Sequence, residues 1–266
     1  MLPFFFFFKK SSNSNLRKAN KAKNDEFYTQ LSDIEKELSH YKEHLKDKIV
    51  FCNCDDPWYS NFFKYFVLQF KTIWLKKLVT THYSTDKPSY KIEVTNSNIT
   101  QILPYIKNWT LFDDTEIFRE FWELLTENWD FRNEECIEIL KKSDVIVTNP
   151  PFSLFRDYIA QLIEYDKKFV IIWNMNAITY KEIFPLIKKN KIWAWYWFNL
   201  SLVYKSPYKN TLEANRKFVM AKWYNPDDFI KVPAISWFTN IETKKRHEDL
   251  ILYKPYNELD YPKYAN

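Results

Sequence analysis

The stretch Asp144-Val-Ile-Val-Thr148, followed by Asn149-Pro150-Pro151-Phe152, constrains this chain more than any other. Its β-branched run reads as a short buried strand. Two consecutive prolines then stop the strand, because neither carries the N–H that a ladder needs. Ser153 stands where a helix N-cap belongs, and Arg156, Tyr158 and Ile159 continue as a helix. A polar amide and an aromatic ring are thereby held on a stiff turn at the carboxyl end of a strand. In open α/β sheets that edge is where ligands bind.

Such a turn has a specific chemistry open to it. An exocyclic amino group on a base is a poor nucleophile, because its lone pair is delocalised into the ring. Two acceptors placed on its hydrogens favour pyramidalisation and release the lone pair for attack on an electrophile. Asn149 offers a side-chain carbonyl oxygen, and the main-chain carbonyl of Pro150 offers the second acceptor. Phe152 offers a flat face for stacking. A base brought here from a duplex must first be flipped out, at a cost of roughly a few kcal/mol. The plain alternative is a strand that ends in a Pro-Pro turn and nothing more.

The Asn-Pro-Pro-Phe motif after a hydrophobic strand resembles that of S-adenosylmethionine-dependent N6-adenine DNA methyltransferases. Lys48-Ile-Val-Phe-Cys-Asn53 reads as a first central strand, and Ser60 caps an aromatic-rich helix from Asn61 to Phe70. No GxG is present between them, so this stretch alone identifies no nucleotide site. Phe51-Cys-Asn-Cys-Asp-Asp-Pro57 followed by Ser60-Asn-Phe-Phe-Lys-Tyr-Phe66 is, however, similar to the EcoRI-type adenine-specific DNA methyltransferases, which use this divergent turn. Phe27-Tyr28-Thr29 resembles the Phe-Tyr-Thr-Pro segment that holds the methionine end of the cofactor, with Gln30 replacing the proline. Asn128-Trp129-Asp130-Phe131 resembles a Gly-Asp-Phe segment, in which the acidic residue accepts from the cofactor adenine and the phenylalanine packs against its ring. Trp173-Asn-Met-Asn176 and Ser236-Trp-Phe-Thr-Asn240 also resemble family segments.

The resemblance implies methyl transfer from S-adenosylmethionine to N6 of a flipped adenine. It implies Asn149, Pro150, Pro151 and Phe152 as the catalytic set, and Phe27, Tyr28, Thr29, Asn53, Asp55, Asp130 and Phe131 as the cofactor set. Double-stranded DNA and a cognate restriction endonuclease acting on the same site are the expected partners of a cytoplasmic monomer. Two rivals stand beside it: the same fold acting on cytosine N4, RNA or a protein amide, and a non-enzymatic nucleic-acid-binding relative.

Strand and helix patterns alternate from residue 48 to 190, which argues for a Rossmann-like α/β fold with a mostly parallel sheet covered on both faces. Residues 1–24 read as a disordered basic arm, its Met-Leu-Pro and five phenylalanines as an overextended start or a homopolymer tract. Residues 25–190 read as the S-adenosylmethionine-binding catalytic domain. Residues 191–266 read as a smaller β-rich lobe for DNA recognition and sheet completion, in which Lys205, Lys209, Arg216 and the run Lys244-Lys245-Arg246-His247 are the basic groups. The spacing predicts helices over Asp33–Lys46 (capped by Ser32, with Ile34, Leu38, Tyr41 and Leu45 as one stripe), Glu116–Leu125, Asn133 to Lys142 and Thr179–Lys188. It predicts further strands over Trp74–Tyr83 and Lys168–Ile172.

Composition narrows the class. A net charge of +5 permits a polyanionic partner without demanding one. Cys52, Cys54 and Cys136 are odd in number and lack a CxxC pair, which speaks against a disulfide framework or a zinc site and fits a reduced cytosol. No apolar segment approaches the ~20 residues of a membrane span. Glycine is absent from all 266 residues, whereas tryptophan occurs eleven times, notably at positions 129, 173, 195 and 197 in segments that read as turns. Tight turns with positive φ accept glycine and resist tryptophan. These tryptophans therefore read as glycines encoded by a reassigned stop-type codon, in keeping with the AT-rich coding that Lys, Asn, Ile, Phe and Tyr suggest.

Overall fold

A computed structural model describes residues 28–57, 60–82, 89–107, 120–125, 130–194, 200–205, 212–249, 253–254 and 257. The basic arm and Phe27 lie outside them. In chain order the elements are β1 (Tyr28–Thr29), α1 (Leu31–Leu38), α2 (Lys42–Leu45), β2 (Ile49–Cys52), α3 (Asn61–Gln69), β3 (Lys77–His82), β4 (Tyr90–Thr95), α4 (Ile99–Lys107) and β5 (Trp122–Leu124). There follow α5 (Glu134–Lys142), β6 (Val145–Thr148), α6 (Phe155–Glu164), β7 (Lys168–Asn174), α7 (Phe184–Lys188), β8 (Trp193–Ala194), β9 (Leu200–Lys205), α8 (Glu213–Ala221) and β10 (Phe229–Thr239).

All ten strands join one sheet in the order β1-β9-β10-β7-β6-β2-β3-β4-β5, with β8 against β10. The centre is parallel: β7 with β6, β6 with β2, and β2 with β3. Antiparallel strands flank it on both sides. This is the expected Rossmann-like α/β architecture. The β-rich C-terminal strands complete the sheet, with β10 pairing β7 along Ile235–Thr239.

The centre is parallel because its strands are apolar on both faces. Every residue of β6 is buried, and its neighbours divide by pleat. Val145 and Val147 join one core with Ile34, Leu38, Tyr41, Phe62, Phe63 and Phe66; Ile146 joins the other with Leu140, Phe155 and Tyr158. The predicted stripe Ile34, Leu38, Tyr41 and Leu45 is wholly buried.

Several boundaries differ from expectation. The first helix starts at Leu31, because Gln30 O already accepts from Asp33 N and Ile34 N at 3.1 Å each, which leaves Ser32 inside it. A 3-10 turn at Ser39–Tyr41 then divides α1 from α2. Residues 122–124 form a strand rather than a helix, pairing with β4 while Trp122 stacks on Tyr90 with ring centroids 4.0 Å apart. The helix predicted from Thr179 is confined to Phe184–Lys188, with Pro185 in the first turn where its missing N–H costs nothing. Ser153 is not a cap: the N-cap of α6 is Leu154, and no side chain caps it. The strand predicted from Trp74 begins instead at Lys77.

The chain before Lys77 is spent on closing α3. Leu75 N donates to Phe70 O at 3.0 Å and Trp74 N to Lys71 O at 3.3 Å, the paired bonds of a Schellman motif. The residue that must be left-handed in that motif is Trp74, at φ 55° and 70% exposed. The end of α8 repeats it: Tyr224 N bonds Val219 O, Trp223 N bonds Met220 O, and Trp223 has φ 66° at 96% exposure. After α6 and α7 the same position is filled by Asp166 and Asn190, residue types that tolerate the conformation. Trp173 is different, being buried in β7 and stacked on Phe155 with ring centroids 4.3 Å apart. Trp129, Trp195 and Trp197 lie outside the described residues. Because a β-carbon in the left-handed region costs roughly 1–2 kcal/mol, Trp74→Gly and Trp223→Gly are each expected to raise the urea unfolding free energy by about 1 kcal/mol. No gain at either position would show that tryptophan is accommodated there without strain.

Candidate active site

The strand order reverses between β6 and β2: the chain runs from β2 outward to β3, and from β6 outward to β7 on the other side. A crevice opens at such a switch point, beyond the carboxyl ends of the strands. Both turns singled out in the sequence are there, Asn53–Pro57 leaving β2 and Asn149–Phe152 leaving β6.

Asp55 joins them. Its Oδ1 accepts from Ser60 Oγ at 2.8 Å, its Oδ2 from Thr148 Oγ1, and its carboxylate also from the backbone N–H of Asn149. Ser60 Oγ in turn accepts from Phe62 N at 3.0 Å and Phe63 N at 3.4 Å, capping α3 as expected. Thr148 Oγ1 also accepts from Cys54 N at 3.3 Å, and Thr80 of β3 donates its hydroxyl to Asp55 O at 2.6 Å. One carboxylate thus ties the β2 turn, the start of α3 and the end of β6. Burial pushes its pKa up to about 6, with the three donors pulling the other way.

Asn53 is held just as firmly. Its side-chain oxygen accepts from the Tyr158 hydroxyl, and its carbonyl accepts from Thr81 Oγ1 at 3.1 Å. Tyr158, on α6 behind the Pro-Pro turn, lies edge-on to Phe131 at 5.1 Å. Burial raises its pKa, as it does those of Cys52 and Cys54. Phe131 is itself almost fully buried, its carbonyl accepting from Gln161 Nε2 at 3.0 Å and the Arg132 guanidinium 5.3 Å from its ring centre. Phe131, the ring expected to pack on the cofactor adenine, thus shares one core cluster with Tyr158. Asp130 is partly exposed and accepts from Arg132 N at 3.0 Å and from Arg132 Nε at 2.6 Å. It faces Cys54 closely enough to raise the thiol's pKa further.

Thr29 reaches the same corner through the neighbour of Ser60: Asn61 Nδ2 donates to Thr29 O at 2.7 Å. Tyr28 pairs with Lys205 in the outermost strand pair. Of the motif itself, Asn149 and Pro151 are partly exposed, Pro150 is buried, and Phe152 opens a 3-10 turn in which Leu154 N bonds Pro151 O at 3.0 Å. The described candidates other than Tyr28 are thus joined to one corner of the fold, with Asn53, Asp55 and Phe131 buried in it.

Comparison with known proteins decides what this corner belongs to. The family model for the adenine-specific methyltransferase EcoRI matches residues 15–266. The chain belongs to the EcoRI family of adenine-specific methyltransferases. It is 44% identical over 96% of its length, and over 78% of the relative's, to the type II methyltransferase M.EcoRI of Escherichia coli. It is 35% identical over 93% of its length, and over 71% of the relative's, to the type II methyltransferase M.MpnI of Mycoplasma pneumoniae. No solved structure matches.

Within this methyltransferase the supports were the residues hardest to foresee. Thr148 read as one more β-branched strand residue, Tyr158 as one more apolar helix position, and Asn61 as a helix start; nothing in their local sequence marks the long-range bonds they make. The basic C-terminal residues are partly committed to the fold. Arg246 bonds Glu242 and, at 3.2 Å, Asn190, and its guanidinium lies 3.7 Å from the Trp193 ring centre. His247 Nε2 is 2.8 Å from Glu242, and Arg216 pairs with Asp227 at 3.0 Å. Lys209 lies outside the described residues, and Lys205 is placed only as a strand position.

The raised pKa of Asp55 gives a signed expectation for stability. A carboxyl group titrating near 6 instead of its ordinary 3.8 favours folding most when protonated, and that contribution is lost as pH rises through about 6. Comparing urea unfolding of the wild type and Asp55→Asn from pH 4 to pH 8, the wild type is expected to lose about 2.4 kcal/mol relative to the variant across that range. A pH-independent difference would mean that the carboxyl titrates normally.

Proposed function

We propose that this enzyme transfers a methyl group from S-adenosylmethionine to N6 of an adenine flipped out of double-stranded DNA, as the modification partner of a restriction endonuclease cutting the same site. The observation that carries the reading is the junction of the two turns: Thr148, the residue before Asn149, donates its hydroxyl to Asp55 and accepts from Cys54 N at 3.3 Å, across the switch point.

The chain's own groups suit the cofactor. The β2 turn is bordered by Asp130, 29% exposed at its side chain, and by the partly exposed Asp56, which accepts from the Tyr90 hydroxyl at 3.0 Å. Carboxylates of this kind accept from ribose hydroxyls and an exocyclic amine, and their charge favours a sulfonium cation. Tyr28, Thr29 and Phe27 would hold its methionine end, and Asn53 the wall beside it. When bound, S-adenosylmethionine supplies an electrophilic methyl group.

The work of the protein is then orientation and polarisation. Asn149 Oδ1 and Pro150 O each accept a hydrogen of the adenine N6 amino group, which directs its lone pair out of the ring plane. Pro150 and Pro151 fix the backbone so that the two acceptors do not separate. Phe152 stacks on the base, and removal of the surrounding water strengthens each contact. No covalent enzyme intermediate is required. The strands and loops beyond residue 190 serve DNA recognition in this reading, the enzyme acting as a monomer in the cytoplasm.

Asn149→Ala is expected to keep its affinity for S-adenosylmethionine within about threefold while methylation falls by about 10²–10³, the loss that follows removal of one polarising group. Calorimetry measures the first quantity and nucleoside analysis of digested DNA the second. Turnover at the wild-type level, or N4-methylcytosine in place of N6-methyladenine, would contradict the assignment.

A further inference from the structure

We propose that Asp55 is a positioning residue for Asn149, acting through Thr148 and the Asn149 backbone, rather than a ligand of the cofactor. This rests on the methyltransferase reading above and deepens it. A carboxylate that binds a ligand must present an oxygen to it, as the 29% exposed side chain of Asp130 does even with its bonds to Arg132. Asp55 instead receives Ser60 Oγ on one oxygen, Thr148 Oγ1 on the other, and the Asn149 N–H as a third donor. It is 93% buried, so these bonds are made away from water, where they are strong and hard to replace. The two donors from the β6 side are consecutive, Thr148 and Asn149. Together they fix the direction in which the chain leaves the strand, and with it the direction of the Asn149 side chain. The Ser60 bond anchors the same carboxylate to the capped end of α3, and Thr80 holds its backbone from β3. The catalytic amide is thereby referenced to the rigid central strands.

The arrangement depends on ionisation. An ionised carboxylate accepts all three hydrogen bonds; a protonated one carries a hydrogen of its own and must give up or reorient a partner. The groups around Asp55 are Cys52 of β2, Cys54 and Asp56 of its own turn, and Tyr158 of α6, with Tyr90 of β4 bonded to Asp56. Burial keeps both thiols and the Tyr158 phenol protonated in the neutral range. An acid limb near pH 6 in the methylation rate therefore belongs to Asp55.

Thr148→Val removes the hydroxyl and keeps the β-branched shape. With plasmid DNA from a methylation-free host and S-adenosylmethionine, its single-turnover rate at pH 7.5 is expected to fall by about tenfold or more, as a misplaced reacting group does. Its calorimetric Kd for S-adenosylmethionine should stay within about threefold, since no ligand contact is lost. The acid limb should move to higher pH, because a donor to the charged form is gone. Thr148→Ser should restore both rate and limb. If Thr148→Val does not fold, Ser60→Ala removes the other hydroxyl and must move the limb the same way. Wild-type rate with an unmoved limb, or a loss of cofactor binding in parallel with rate, would overturn the proposal. Wild-type protein that binds S-adenosylmethionine and leaves DNA unmethylated at every pH overturns the methyltransferase reading itself.

A separate observation carries a second inference. We infer that the codons for residues 74 and 223 are read as glycine in the cell that uses this gene. Both positions are left-handed, both close a Schellman motif, and both leave a tryptophan ring in solvent with little apolar surface to cover it. The matching positions after α6 and α7 hold Asp166 and Asn190, residue types that tolerate the conformation as tryptophan does not, and the 266 residues contain no glycine at all. Mass spectrometry of peptides from the protein isolated from its native cell, spanning residues 71–76 and 219–224, is expected to find glycine at both positions. Tryptophan at either one overturns the inference for that position.

Discussion

A charged group hidden from water at the hinge of two strands is the constraint on which this fold's working end depends. Desolvating a carboxylate is costly, and it persists only where donors compensate. For Asp55 those donors come from the cap of α3, the last residue of β6 and the first residue of the Asn149–Phe152 turn. The compensation therefore cannot be made unless those elements are in place. Packing alone would allow the β6 turn to settle in several ways, since apolar contacts are not directional. The bonds to Asp55 select one of them. Tyr158 adds a second tie through Asn53, so that α6, which follows the Pro-Pro turn, is also referenced to β2.

What could be read from the sequence follows from how each feature is encoded. Buried parallel strands are continuous apolar runs, and 145–148 and 168–172 stood out for that reason, although the second strand runs on through Trp173 to Asn174. The cap at Ser60 is a local device, and it was legible. Element ends decided by distant partners were not. Trp122 is in a strand because Tyr90 across the ladder stacks on it, and Ser32 fails to cap because Gln30, two residues earlier, already receives the first helical bonds.

The site divides in the same way. Asn149, Pro150, Pro151 and Phe152 could be singled out because their chemistry is written in consecutive residues. Thr148 and Asp55 are 93 positions apart, Tyr158 and Asn53 are 105 apart, and Asn61 and Thr29 are 32 apart. No local pattern records such pairs. The burial of Asp55 and Phe131, both singled out for the cofactor, was likewise not legible, because it is set by partners from other elements.

The frame around Asp55 also bears on how residues 53–57 of the β2 turn do without a close backbone cradle. Glycine-rich turns bring backbone N–H groups close to a phosphate, and any β-carbon would block the approach. The proposed methyl donor carries a sulfonium and no phosphate, so a close cradle of N–H groups has nothing to neutralise. What such a ligand asks of the turn is acceptors, and the turn supplies Asp56, with Asp130 facing Cys54 of the same turn. With the close approach unnecessary, the turn can afford side chains that point inward, and Asn53 and Asp55 use theirs to hold the neighbouring catalytic turn. Charge complementarity toward the ligand and rigidity toward Asn149 are thus two uses of one short acidic segment.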